Sequence, residues 1–287
     1  MAVAYPAHLQ QEIEEYLAGL RFAHESATSG LEEAMRYSLL AGGKRIRPVL
    51  SLATAEALGR ERADVAPFAA AIELIHTYSL IHDDLPAMDD DELRRGQPTC
   101  HVKFGEAVAI LAGDGLFAEA IRLVTERQSG APENVLAALQ RLVAAAGVDG
   151  MVGGQYVDIQ GEAADLRRLH ELKTGRLIAA SVDCVPILCG VTGPAIIALG
   201  RFAAELCVLF QIVDDILDVT GEEAALGKPQ GSDERHGKLT YVSVFGLDRA
   251  RELAAESHRN ARAALAESGF ETETLDRITD YILTRTS

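Results

Sequence analysis

The sequence predicts an all-α fold, and three observations carry the prediction. Apolar residues recur almost everywhere with a helical period, and alternating strand patterns are scarce. Trp is absent and aromatic residues make up only 5% of the chain. The helix formers Ala, Leu and Glu abound in their place. Neither a domain linker nor a clean internal repeat interrupts the 287 residues. One domain, 1–287, is expected, long enough to bury a substantial core.

A first helix is expected over about His8 to Phe22 and a second from about Leu31, stopped by Gly42-Gly43. Lys44-Arg45-Ile46-Arg47-Pro48 follows, with Pro48 suited to the first turn of the next helix. Cations beside a helix N-terminus can form a phosphate site, and an ordinary basic surface loop reads the same way. The helix from about Pro67 carries Ile72, His76, Ser79 and Asp83 on one face, at steps of three or four residues. It runs into His82-Asp83-Asp84-Leu85-Pro86-Ala87-Met88-Asp89-Asp90-Asp91-Glu92-Leu93-Arg94-Arg95. Five aspartates and a glutamate lie within the ten residues 83–92. Like charges this close need a partner or open solvent. Pro86 restricts Leu85 away from helical angles, so Asp83 and Asp84 end the helix. A loop holding Asp89 to Asp91 can then fold back and bring Asp89 toward Asp83.

After a turn at Gly96-Gln97-Pro98-Thr99, helices are expected over about Gly105 to Arg127, with an Ala-rich face, and about Glu133 to Ala146. Gly147 to Gly154 leads into Gln155-Tyr156-Val157-Asp158, either a functional motif or a helix start with small packing residues. From about Asp165 a helix carries Lys173-Thr174-Gly175; Lys173 either faces an anion or snorkels to solvent. The helix from about Pro194 closes on a second acidic cluster, Asp214-Asp215-Ile216-Leu217-Asp218. Gln211, Asp214 and Asp218 share a face, and Asp214 and Asp218 are repelling i, i+4 neighbours unless a cation bridges them. Two carboxylate clusters, each closing an apolar helix, suggest a shared site for hard cations, which take oxygen ligands. The loop Thr220 to Gly237 sets Lys228 among glycines, with Lys238 just beyond; it is a solvated linker or a flap over an anion. The tail reads as two amphipathic helices, about Leu247 to Ala266 and Glu273 to Leu283.

Bulk properties exclude several classes. A formal net charge of −16 disfavours nucleic acid as a partner. Cys100, Cys184, Cys189 and Cys207 show no zinc-like spacing and read as reduced thiols. The first twenty residues lack the basic-then-apolar pattern of a signal peptide. The closest approach to a spanning segment, Leu177 to Leu199, is broken by Asp183, Pro186 and Gly193-Pro194. A cytoplasmic protein without membrane insertion is expected.

In their order along the chain, Gly42-Gly43-Lys44-Arg45-Ile46-Arg47-Pro48, His82-Asp83 through Arg95-Gly96, Gly153-Gly154-Gln155, Lys173-Thr174-Gly175, Gln211 through Asp218 and Gly237-Lys238 resemble the motifs of the trans-isoprenyl diphosphate synthases. The bacterial farnesyl diphosphate synthases are most similar, and the resemblance covers nearly the whole chain. Its first motif has the Asp-Asp-x4-Asp spacing shared by the bacterial farnesyl and plant-type geranylgeranyl enzymes. The resemblance implies a homodimer of helical bundles around a central cavity and Mg²⁺-dependent condensation of isopentenyl diphosphate with dimethylallyl and then geranyl diphosphate. It implies that Asp83, Asp89 and Asp214 hold up to three Mg²⁺, with Asp84, Asp215 and Asp218 acting directly or through water. Arg94, Lys173, Thr174, Gln211, Lys228 and Lys238 would contact the allylic diphosphate. Lys44, Arg47, His76 and Arg95 would bind isopentenyl diphosphate. Tyr78, five residues before the first aspartate, would floor the product tunnel and favour a C15 product over C20. On an ideal helix, however, Tyr78 lies about 140° round from Asp83 and Ser79 only about 40°.

Leu239, Val242 and Pro229 depart from the family pattern around the lysine loop. A terpene cyclase would not need the second anion site, and a non-catalytic synthase subunit would have lost motif aspartates that stand intact here.

Overall fold

The computed structural model describes residues 4–160, 166–221 and 239–285. Its elements are α1 (Ala7–Gly19), α2 (Ser29–Leu39), α3 (Ile46–Ala57), α4 (Ala66–Asp83), a small hairpin β1 (Leu93–Arg94) and β2 (Gln97–Pro98), α5 (Cys100–Phe104), α6 (Glu106–Arg127), α7 (Pro132–Ala146), α8 (Met151–Gln160), α9 (Leu166–His170), a π-helical turn (Glu171–Gly175), α10 (Arg176–Leu188), α11 (Pro194–Thr220), α12 (Tyr241–Phe245), α13 (Leu247–Ser268) and α14 (Glu273–Thr284). The all-α expectation is met.

The helix α4 is the core of the bundle. Thirteen of its eighteen residues are buried, among them Phe68, Ile72, Leu74, Ile75 and Ile81. A helix apolar all round has no solvent face to offer and must be surrounded; α4 packs on α1, α2, α3, α6 and α10. The second pillar, α11, packs on α10, α13 and α14. Two stretches, Pro132–Gln160 and Pro194–Thr220, are apolar and long enough to cross a membrane by length and hydropathy alone. The first is broken by the turn at Gly147–Gly150 and the second lines the core and ends in three aspartates.

Three local features differ from the expectation. The helix α2 ends at Leu39, before the glycines, and Gly42 (φ 84°) and Gly43 (φ 116°) turn the chain instead. The positive φ of Gly43 suits a glycine, and a Cβ there would also press on the Arg95 guanidinium, 2.6 Å away. The turn at Gly96 belongs to a hairpin in which Leu93 pairs with Pro98 and Arg94 with Gln97. Its central residues Arg95 (φ 53°) and Gly96 (φ 74°) both take the left-handed conformation that a type I′ turn demands. Finally, the helix expected from Asp165 is divided by the π turn that carries Lys173 and Thr174.

Candidate active site

The end of α4 sets the first acidic cluster. Asp83 is its last residue and Asp84 its C-cap. The following loop folds back, with the Asp89 amide donating to the Asp83 carbonyl at 2.9 Å and the Met88 and Asp90 amides to Leu85 at 2.8 and 3.2 Å. The cost of burial is visible in Asp83. Burial, opposed by the nearby Lys173 and abetted by Asp89, pushes its carboxyl up to about 6. Asp84 is buried and accepts from Arg94 Nε at 2.7 Å and Nη2 at 2.5 Å. Burial raises the Asp84 carboxyl even against that guanidinium.

Asp83 opens onto a cavity of about 390 Å³ lined by Arg47, His76, Tyr78, Ser79, Leu80, His82, Met88, Met151, Val152, Gln155, Tyr156, Ile159, Lys173 and Thr174. Candidates for both diphosphates, one metal-ligand candidate and both chain-length candidates therefore share one chamber. His76 is driven well below its ordinary range by burial and by Arg47, Arg95, Arg94 and Arg45, so the imidazole is neutral near pH 7. Tyr78 is 9% exposed and meets Phe117 and His82 edge-on, with ring centres 5.3 and 5.7 Å apart. Its neighbour Ser79 donates back to the His76 carbonyl at 2.9 Å. Tyr78 and Ser79 thus reach the same chamber despite their different angular positions on α4.

The π turn places Lys173 and Thr174 opposite α4. Such i→i+5 turns occur mostly as single insertions and often at functional positions. The helix α8 crosses against it so closely that a Cβ on Gly154 would lie 2.2 Å from the Lys173 amide nitrogen. Gly154 is therefore a close-approach residue for the π turn, whereas Gly153 packs against the Val148 carbonyl of the preceding turn. Lys173 Nζ donates to Asp158 Oδ2 at 2.6 Å, so α8 also aims the lysine. Gln155 presents in the same wall a buried Oε1 that has no hydrogen-bond partner among the described residues. Neither Asp158 nor Gln155 was assigned a role from sequence; the Gly-Gly-Gln-x-x-Asp spacing was their only signal.

The second acidic cluster divides. Asp214 is partly exposed and paired to Arg285 Nη2 at 2.5 Å, with the Arg285 guanidinium over the Phe210 ring. Lys44 lies in the same neighbourhood: burial and Arg285 lower its ammonium to about 8, while Asp214 pulls the other way. Asp215 is buried and accepts from the Tyr241 amide at 2.7 Å and from Gln211 Nε2 at 2.8 Å. Both oxygens of Asp215 are thereby engaged by protein groups. Its position ties α11 to the first turn of α12, whose amide would otherwise lack an acceptor. Gln211 accordingly lines a different cavity, of about 330 Å³, with His170, Arg176 and Tyr241. Asp218 is buried. Among the described residues no three Asp, Glu, His or Cys side chains converge on a single metal position. Lys228 and Lys238 lie outside the described residues.

Residues 28–281 match the family model described as polyprenyl synthetase. A farnesyl diphosphate synthase of Geobacillus stearothermophilus is 44% identical over 96% of this chain and 99% of its own length. A chloroplastic geranylgeranyl pyrophosphate synthase of Capsicum annuum is 45% identical over 89% of this chain and 71% of its own. A crystal structure of an FPP/GFPP synthase from Zymomonas mobilis, 36% identical, superposes with a TM-score of 0.84 over 97% of both chains. The fold, the chamber below the first acidic cluster and these likenesses agree: the chain belongs to the polyprenyl synthetase family.

Proposed function

We propose that this chain is a farnesyl diphosphate synthase, which joins isopentenyl diphosphate to dimethylallyl and then geranyl diphosphate to make the C15 product. The observation that carries the proposal is the single chamber lined by Asp83, His76 and Tyr78 of α4 together with Arg47, Lys173 and Thr174. Several anion-binding groups around one cavity suit two diphosphates brought together for one bond. The rival reading, a geranylgeranyl (C20) synthase, has the plant relative in its favour; the bulk of Tyr78 favours C15.

The family implies a divalent metal, and the donor set fits one. Asp83, Asp89 and Asp214 offer oxygen alone, and Mg²⁺ is commonly held by one or two carboxylates together with substrate phosphates and water. Burial, with Asp89 and Asp84 nearby, lifts Asp83 to about 6, and a bound dication would favour its charged form. We assign Mg²⁺ to Asp83, Asp89 and Asp214, with Asp84 and Asp218 supporting them. When bound, the metal supplies charge stabilisation to the departing diphosphate.

The protein's own groups do the rest. The Lys173 ammonium and Thr174 hydroxyl grip the allylic diphosphate from the π turn, with Arg94 steered by Asp84. Lys44, Arg47 and Arg95 hold isopentenyl diphosphate, and neutral His76 adds a hydrogen bond without more charge. Met151, Val152, Tyr156 and Ile159 give the chamber an apolar wall beside the allylic cation, which the double bond of isopentenyl diphosphate attacks. The proton lost afterwards goes to the released diphosphate, so no side chain is assigned as a base. Lys228 and Lys238 complete the allylic site in this reading. Gln211 is committed to Asp215 and acts there indirectly.

The same reading makes the protein a single-domain cytoplasmic homodimer. The exposed Ile110, Leu111, Leu136 and Val143 on α6 and α7 supply apolar surface for a second copy. Separate substitution of the two anion sites tests the assignment. Arg47→Ala should raise KM for isopentenyl diphosphate and Lys173→Ala KM for geranyl diphosphate, each by at least about tenfold. Equal effects of both variants on both substrates would sink the two-site reading.

A further inference from the structure

The loop Gly42–Lys44 belongs to no helix or strand, yet each of its carbonyls is held by a side chain. The Gly42 carbonyl accepts from Arg95 Nη1, that of Gly43 from Gln10 Nε2 at 2.9 Å, and that of Lys44 from the Tyr5 hydroxyl at 2.7 Å. Tyr5 is itself fixed, with its ring centre 4.8 Å from that of Tyr281. Arg45 then reverses the chain in the left-handed conformation (φ 53°), which costs a non-glycine residue about 1 kcal/mol or more. Its guanidinium is buried, donating to Glu73 Oε1 at 2.6 Å and to the last carbonyl of α2, Leu39, at 2.7 Å. Glu73 is buried as well, on α4, one helical turn before His76.

Buried ion pairs are poor stabilisers, since apolar replacements are often as good or better. This one spans the segments that must keep register for one anion site: the junction of the Lys44 loop with α3, which bears Arg47, and the helix bearing His76. We propose that Glu73, acting through Arg45, and Tyr5, acting through the Lys44 carbonyl, are positioning residues that set the affinity of the Lys44–Arg47–His76 site for its diphosphate without touching substrate. The inference rests on the two-site reading given above. Tyr5 and Gln10 precede residue 28, so this support comes partly from outside the segment matched by the family model.

The test uses the full chain with Mg²⁺, measuring kcat, KM for isopentenyl diphosphate, KM for geranyl diphosphate and thermal unfolding. Tyr5→Phe deletes one hydroxyl while keeping the ring contact. It should raise KM for isopentenyl diphosphate about threefold and leave kcat, the other KM and Tm essentially unchanged. Glu73→Gln should raise the same KM about tenfold or more, and if it does not fold, Tyr5→Phe decides alone. Unmoved KM values in folded variants, or both KM values rising together, would overturn the inference while leaving the two-site reading intact. A wild-type protein that elongates nothing would overturn both.

Discussion

Replacing Tyr78 with Ala should lengthen the product by one isoprene unit. Tyr78 lies five residues before Asp83, about 7.5 Å down the axis of α4, and its ring stands in the wall of the chamber that Asp83 opens onto. An extended isoprene unit spans about 5 Å over four bonds, close to the reach of the phenol ring beyond its Cβ. Removing the ring therefore makes room for a fourth unit and a C20 product. The variant is weakened as well as altered. The ring is 9% exposed and loses its edge contacts with Phe117 and His82. Aromatic-to-alanine changes in cores cost about 3–5 kcal/mol, and a ring facing a chamber belongs at about 3. At about 3 °C per kcal/mol, Tm should fall by about 9 °C. Incubation with Mg²⁺, isopentenyl and labelled dimethylallyl diphosphate, followed by sizing of the dephosphorylated products, reads the outcome. A folded variant that still stops at C15 would refute the ruler assignment and move the floor to α6.

Three further outcomes are expected. Asp83→Ala should lower turnover by about a thousandfold while circular dichroism shows the fold retained; full activity would refute the metal role. The metal-free protein should lose stability as pH rises through about 6, because the Asp83 carboxyl is raised in the folded state and its ionisation there is disfavoured. Without metal, Asp83→Asn should accordingly match the wild type near pH 4 and exceed it in Tm at pH 7, and a less stable Asn variant at pH 7 would contradict the burial argument. Gly154→Ala forces a Cβ to within 2.2 Å of the Lys173 amide, so it should displace the π turn and raise KM for geranyl diphosphate by about tenfold or more; kinetics equal to wild type would show that the turn is not needed.

Much of this is legible in the sequence. The helical period placed α4 and α11 correctly, and Pro86 marked the end at which Asp83 and Asp84 lie. The back-folded loop followed from the same proline, and the Asp89 amide on the Asp83 carbonyl is its observed form. Three things were not legible. A π turn has no residue pattern of its own, so Lys173 and Thr174 seemed to ride an ordinary helix. The division of labour within Asp214-Asp215-Asp218 depends on where α12 begins and where Arg285 returns, distant contacts that no local spacing encodes. Glu73 has no local signal in the sequence, and only its burial against Arg45 distinguishes it.

The central claim is that one chamber joins two diphosphates and stops at fifteen carbons. The most direct test is the chain length of the labelled product that the unaltered protein forms from dimethylallyl and excess isopentenyl diphosphate with Mg²⁺. Farnesyl diphosphate is expected as the main product, with geranyl diphosphate as a transient. No elongation would contradict the two-site chamber, and a C20 product would contradict Tyr78 as its floor.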